Sequence, residues 1–109
     1  IMKAIKAFIH PSKVYQIVGA LKEVGFPNLT LTTCEGTGHS ASDEEAYPSL
    51  EFPVSDSKIV KLELDCENSD ETKAVTLIHE KGKTGNPGDG LIYVSDVASA
   101  YKVKTGEQV

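Results

Sequence analysis

The sequence predicts an α+β sandwich in the order strand, helix, strand, long loop, strand, helix, strand, with both helices on one face of a single sheet. Two observations predict it. Apolar residues recur at helical spacing in two separate windows, each flanked by short apolar or alternating runs. Between the two halves, the stretch 36–58 loses all periodicity.

Met2 to Ile9 is short, apolar and rich in Ile and Phe, which reads as a first strand. His10-Pro11-Ser12 stops it, and Ser12 is the expected helix cap. Val14, Ile17, Val18, Leu21 and Val24 then recur at helical spacing, with Lys13, Gln16, Lys22 and Glu23 off that stripe. Gly19 inside this helix costs about 1 kcal/mol relative to Ala, so close packing against another backbone is expected there. Gly25 suits the position just past a helix, and Pro27 forbids continuation. Leu29 to Glu35 alternates Leu with Thr as a second strand.

The stretch 36–58 holds Gly36, Gly38, Ser40, Ser42, Asp43, Glu44, Glu45, Pro48, Pro53 and Ser55. It is too polar to bury and long enough that a functional, mobile loop is expected. Ile59 to Cys66 is the clearest strand: Val60, Leu62, Leu64 and Cys66 face one way, Ile59, Lys61, Glu63 and Asp65 the other. Asn68 and Glu71 have capping-box spacing. Ala74, Leu77, Ile78 and Lys81 form the next helix face, which Gly82 can end. Thr84-Gly85-Asn86-Pro87-Gly88-Asp89-Gly90 is a dense turn, Leu91 to Ser95 a fourth strand, and Tyr101 to Lys104 a short terminal strand.

Two βαβ halves of similar length make a ferredoxin-like βαββαβ sandwich, a single domain over 1–109. The second and third strands pair antiparallel across the long loop. That pairing separates Cys34 from Cys66, so no disulfide is expected and both read as small buried hydrophobes. One face of the sheet stays uncovered with Ile59 and Lys61 on it, and oligomerisation through that face is the simplest remedy.

Charge excludes several classes. The net charge of −5 repels nucleic-acid backbones, and the third strand offers no aromatic on which a base could stack, so no nucleic-acid partner is expected. All eleven basic residues are Lys. Bidentate side-chain recognition of phosphate is therefore absent, and a phosphate site must use backbone N–H groups and Lys ammonium groups. No apolar run approaches the roughly 20 residues that span a bilayer, so no membrane insertion is expected. No secretory pattern opens the chain, which makes the cytoplasm the expected compartment. Ile1 ahead of Met2 reads as a remnant of cloning or tag removal. Neither a nucleophile–base pair nor paired carboxylates appear at local spacing, so no catalytic residue and no enzyme is expected.

The segment Thr84 to Val94, followed by Asp96-Val97 and Lys102-Val103-Lys104-Thr105-Gly106-Glu107, resembles the C-terminal signature of the PII signal-transduction family. That signature is a TG…GDG loop, a strand and a basic-x-basic-T-G-E end. Leu29-Thr30-Leu31-Thr32 and Gly36-Thr37-Gly38 are similar to the family's second strand and loop entrance. The resemblance spans nearly the whole chain. It implies a homotrimer that holds an adenine nucleotide (ATP, ADP or AMP) in each of three clefts between subunits. It also implies a T-loop, here 36–58, that docks on a membrane transporter or metabolic enzyme. The positions matched to nucleotide binding are Thr30, Gly36, Thr37, Gly38, His39, Glu63, Gly88, Asp89, Gly90, Lys102 and Lys104, with 84–90 as the phosphate-binding loop. The residue types suit this. Gly88 and Gly90 permit positive φ and let backbone N–H groups approach an anion, and Lys102 and Lys104 on one face of an extended strand point both ammonium groups at one polyphosphate.

Several positions depart from the family pattern. Lys102 and Lys104 stand where the family usually has arginines, and His39 and Ser40 where Arg and Gln are common. Leu91 replaces a phosphate-contacting Lys, Ile59 aligns with another Lys beside Lys58, and Phe52 occupies the position uridylylated in many bacterial members. A divergent, PII-like member is implied, with weaker nucleotide binding and no 2-oxoglutarate as ligand. The alternative is a divalent-metal-binding or metal-tolerance trimer of similar fold. In it His39, Cys34, Asp43, Glu44 and Glu45 would supply imidazole, thiolate and carboxylates. Their spacing defines no metal site, and no metal ligand is assigned.

Overall fold

In a computed structural model the chain runs β1 (Met2–Ile9), α1 (Val14–Glu23), β2 (Thr30–Thr37), β3 (Tyr47–Pro48), β4 (Ser55–Glu67), α2 (Glu71–Gly82) and β5 (Ile92–Val97). The structure describes residues 2–37, 47–48, 55–86 and 89–109. The sheet order is β2-β4-β1-β5, with every pairing antiparallel and the short β3 paired to the start of β4. This is the ferredoxin-like βαββαβ topology that the sequence predicts.

The alternation of β4 does what its pattern requires. Val60, Leu62, Leu64 and Cys66 are buried, together with Ile5, Ala7 and Ile9 of β1. They meet Ile17 and Leu21 of α1, Ala74 and Ile78 of α2, and Phe26. Burying a side chain of the Leu or Ile class contributes about 1.5–3 kcal/mol, so this one layer drives folding. Both cysteines are free: Cys34 lies opposite Ile59, and Cys66 lies opposite Lys3 at the far end of β4.

Ladder pairing trims the expected loop at both ends. Glu35, Gly36 and Thr37 stand opposite Lys58, Ser57 and Asp56, so β2 and β4 extend into residues with no apolar alternation. Main-chain hydrogen bonds do not need apolar side chains. The rest of the stretch, 38–46 and 49–54, lies outside the described residues.

The helix ends differ from their expected chemistry. Ser12 is not the cap: the Nδ1 of His10 accepts the Ser12 N–H at 3.2 Å and lies 2.8 Å from the Ser12 hydroxyl, which opens a 3-10 turn over Pro11–Lys13. Asn68 and Glu71 form no capping box either. Residues Asn68–Asp70 make a second 3-10 turn, and neither turn nor helix receives a side-chain cap. Gly25 does adopt the expected left-handed backbone, at φ 102°. Close packing falls at Gly82 rather than Gly19. A Cβ on Gly19 would meet nothing within 4 Å, whereas one on Gly82 would stand 3.0 Å from Cδ1 of Ile17, where α1 and α2 approach.

The tail is the largest correction. Tyr101–Lys104 is not an extended strand. Tyr101 bridges Gln108, Lys102 N–H donates to Glu107 O at 2.8 Å, and Gly106 N–H donates to Lys102 O at 2.8 Å. The chain reverses through 103–105 with Gly106 at φ 74°. Local main-chain bonds in the TGE segment outweigh the alternation of Tyr, Lys and Val.

The face opposite the helices carries Thr30, Glu63, Lys6 and Tyr93 in one row across all four long strands. Phe8 and Tyr93 meet edge to face at 6.1 Å, and the Lys6 ammonium lies 5.4 Å from the Tyr93 ring centre. Among the described residues, no helix covers this face. Among the described residues, no helix is long and apolar enough to cross a membrane.

Candidate functional site

Thr30 and Glu63 are register partners on β2 and β4. They line a groove of about 470 Å³ with Pro27, Asn28, Leu29, Leu64 and Asp65. Glu63 also faces Lys61 at 3.6 Å. The pairing exists because β2 starts at Thr30, where the chain leaves Pro27 and becomes extended.

Gly36 and Thr37 end the same strand, opposite Ser57 and Asp56. Six residues of strand separate Thr30 from Gly36, or about 20 Å at 3.3 Å per residue. Gly38 and His39 lie outside the described residues. So do Asp43, Glu44 and Glu45 of the metal reading. Among the described residues, no group of three or more His, Cys, Asp or Glu side chains is placed to hold a metal ion.

The loop after α2 is organised from within. Asp89 Oδ1 accepts the Thr84 hydroxyl at 2.5 Å, while Oδ2 accepts the N–H groups of Thr84 at 2.9 Å and Gly85 at 3.3 Å. Thr84 Oγ1 in turn accepts the Asn86 N–H at 3.1 Å. Gly85 adopts φ 82°, which turns its N–H back toward the carboxylate. Burial disfavours the ionised Asp89, but the bonds from Thr84 and Gly85 and the charge of His10 outweigh it and hold the carboxyl below its ordinary value.

Gly90 is fixed by contact rather than by conformation. Glycine permits positive φ here, yet Gly90 is not among the residues that adopt it. A Cβ would stand 2.9 Å from the Phe8 carbonyl carbon and closer still to its oxygen. The next residue closes the seam, with Phe8 N–H donating to Leu91 O at 3.1 Å. Leu91 itself remains 64% exposed. Behind the loop is a pocket of about 270 Å³, lined by Ile9, Ile78 and Ile92 at its floor and by His10, His79, Lys83 and Asp89 among its polar groups. Gly88 lies outside the described residues.

Lys102 and Lys104 are exposed on the tail turn, so they do not share one face of a strand as expected. The chain therefore brings the described ones among the eleven positions to several separate places. Thr30 lies on one edge strand and Gly90 at the start of the other, three strand spacings or about 14 Å apart. Sequence reading missed the roles of His10 as a cap and of Thr84 as the partner of Asp89. The spacing Thr84-x4-Asp89 in a glycine-rich turn was the available signal for the second.

A profile described as Nitrogen regulatory protein P-II matches residues 2–107. The chain is 36% identical over 107 residues to the nitrogen regulatory protein P-II of Azospirillum brasilense, which covers 98% of this chain and 96% of that protein. Nitrogen regulatory protein P-II 1 of Escherichia coli (strain K12) is likewise 36% identical over 107 residues, with the same shares covered. The fold also matches the crystal structure of Arabidopsis thaliana PII bound to citrate, with a TM-score of 0.77 at 24% identity, covering 99% of this chain and 88% of that one.

Fold and relatives define a small α+β signal-transduction protein, a class that relays a signal and does not catalyse a reaction. Within that class, the chain belongs to the nitrogen regulatory protein P-II family. Members of this family generally bind adenine nucleotides, are typically trimeric and regulate other proteins.

Proposed function

We propose that this chain binds ATP, ADP or AMP in clefts between the subunits of a homotrimer. The stretch 36–58 then relays occupancy to a membrane transporter or metabolic enzyme. One observation supports the reading above others: the matched residue Thr30 lies on the edge strand β2, paired to Glu63 of the inner strand β4, whereas Asp89 and Gly90 lead into β5 at the opposite edge of the same sheet. Within one chain the two groups therefore lie apart across the sheet. A neighbour's opposite edge joins them.

The exposed apolar residues agree with assembly. Tyr101 is 62% and Val109 67% exposed on the folded-back tail, and among the described residues no helix covers the Phe8–Tyr93 pair on the open face. Family membership favours this reading over the metal-tolerance alternative.

Sedimentation velocity at micromolar concentration should give a trimer. Calorimetry with ATP, ADP and AMP should give one nucleotide per subunit, without enhancement by 2-oxoglutarate. The half-site arrangement has its own test. Mixing a Glu63→Ala chain with an Asp89→Ala chain should restore some clefts that neither variant forms alone. A stable monomer, or no binding of any adenine nucleotide at millimolar concentration, refutes the proposal. Hydrogen exchange over residues 37–57 that is identical with and without nucleotide would separate that stretch from the cleft.

A further inference from the structure

We propose that the pocket of about 270 Å³ between the end of β1, the end of α2 and the start of β5 binds a small aliphatic monocarboxylate. The site is separate from the proposed nucleotide cleft. Its walls Ile9 and Ile78 belong to the core on the helix side of the sheet, whereas Thr30 and Glu63 lie on the opposite face. Ile9 and Ile78 are buried, and the half-buried Ile92 packs against the same core. Three branched aliphatic side chains thus make a floor that gains most from covering by another aliphatic group. Pockets for drug-sized ligands run from about 300 to 1,000 Å³, so this one is too small for a nucleotide and suits a chain of about four to six carbons.

The polar groups of the pocket set the charge of the ligand. His79 lies in the last turn of α2, and Lys83 follows the helix with its N–H donating to His79 O at 3.1 Å, which ties the two residues together. Among the described residues, neither the Lys83 ammonium nor the His79 imidazole makes a hydrogen bond or an ion pair. His10 accepts the Ser12 N–H on Nδ1, so its neutral ring carries the proton on Nε2 and is a donor there. Asp89 is the one carboxylate among the described lining residues, and both its oxygens already take bonds from Thr84 and Gly85. The pocket therefore offers one unanswered positive charge beside an apolar floor. A single carboxylate on a short aliphatic body answers both. Inorganic phosphate would leave the isoleucines uncovered, and a dicarboxylate would carry a second charge onto them, which is costly without a partner.

The experiment is titration of isocaproate into the nitrogen-labelled protein without nucleotide, followed through its amide spectrum. The amides of His79, Lys83 and Ile92 should shift and saturate, with a dissociation constant of about 1 mM or below. Isocaproamide, which keeps the shape and loses the charge, should bind about tenfold more weakly, and glutarate should leave these amides unmoved. Lys83→Met keeps the stem and removes the ammonium. It should weaken isocaproate about tenfold at an unchanged thermal midpoint, because the side chain is exposed. Ile92→Ala should instead weaken acid and amide alike, since it removes floor and not charge. The comparison of acid with amide uses the wild-type chain alone, so it stands whatever a variant does to folding. No saturable shift by about 10 mM overturns the proposal. So does equal affinity for acid and amide, full affinity in Lys83→Met, or saturable shifts at Thr30 and Glu63 in place of those at His79 and Lys83.

Discussion

Replacing Gly90 by Ala tests how the loop is anchored to the sheet. The new Cβ would stand 2.9 Å from the Phe8 carbonyl carbon and 3.0 Å from Phe8 Cβ, with the carbonyl oxygen closer. Carbon atoms rest comfortably at about 3.5–4.0 Å, so the chain at position 90 must retreat by roughly 0.5–1 Å. No rotamer change can relieve the clash, because the closest obstacles are main-chain atoms of a strand paired on both sides. The retreat also draws Leu91 O away from Phe8 N–H, now at 3.1 Å. Overpacking against fixed atoms costs about 1–3 kcal/mol and the lost hydrogen bond about 1 kcal/mol, for a total of about 2–4 kcal/mol. At about 4 °C per kcal/mol for a domain of this size, the thermal midpoint should fall by about 8–16 °C. The assay is scanning calorimetry at one fixed protein concentration, since assembly makes the midpoint depend on concentration. A fall below about 3 °C would refute the contact as the reason for glycine at this position.

Three further outcomes follow from other positions. Gly19→Ala should raise the midpoint by about 2–4 °C, because nothing in the chain lies within 4 Å of the added methyl and Ala favours the helix by about 0.5–1 kcal/mol. A lowered midpoint would show that another subunit's backbone packs there. Cys66 is buried, and that burial, reinforced by Asp70 and Glu71, holds its thiol above the ordinary value. A thiol reagent at neutral pH should therefore modify Cys66 only on unfolding, and native-state labelling identified by mass spectrometry would contradict its placement. Asp89 titrates below its ordinary value when folded, so its stabilising contribution is complete above the unfolded value and fades as pH falls through the lower, folded one. Asp89→Asn should flatten the acid limb of a midpoint-against-pH curve below about pH 4. Acid limbs of equal slope would count against the bonds that Asp89 takes from Thr84 and Gly85.

The fold was legible because its signals are periodic and local. Burial of Val60, Leu62, Leu64 and Cys66 follows from alternation alone, and the end of α1 follows from Gly25. Hidden were features in which a side chain chooses between partners that sequence does not rank. His10, read as a strand-end residue, caps the turn that Ser12 was expected to cap, because Pro11 holds the chain where the imidazole reaches the Ser12 N–H. Tyr101 to Lys104 alternates like a strand, yet the main chain of Gly106 and Glu107 folds back and takes its hydrogen bonds.

The candidate site divides in the same way. Thr30 opposite Glu63 follows from an antiparallel hairpin register once both strands are placed. The Thr84–Asp89 bond is local to its turn, but the seam at Gly90 depends on where β1 lies across from the loop, a long-range relation that spacing within 84–90 does not contain.

The sheet order β2-β4-β1-β5 also has a consequence for how the chain must be made. β1 is synthesised first, yet both its neighbours come much later: Ile9 waits for Val60, and Ala7 waits for Ile92 as well. At roughly 5–20 residues per second, the first strand leaves synthesis several seconds before its second partner exists. During that interval Ile5, Ala7 and Ile9 have no sheet to enter, and α1 has no core strand other than β1 to rest on. Pairings this distant in sequence also close slowly, because loop entropy is lost before the contacts form. Closure of the four-strand order thus waits for the arrival of β5.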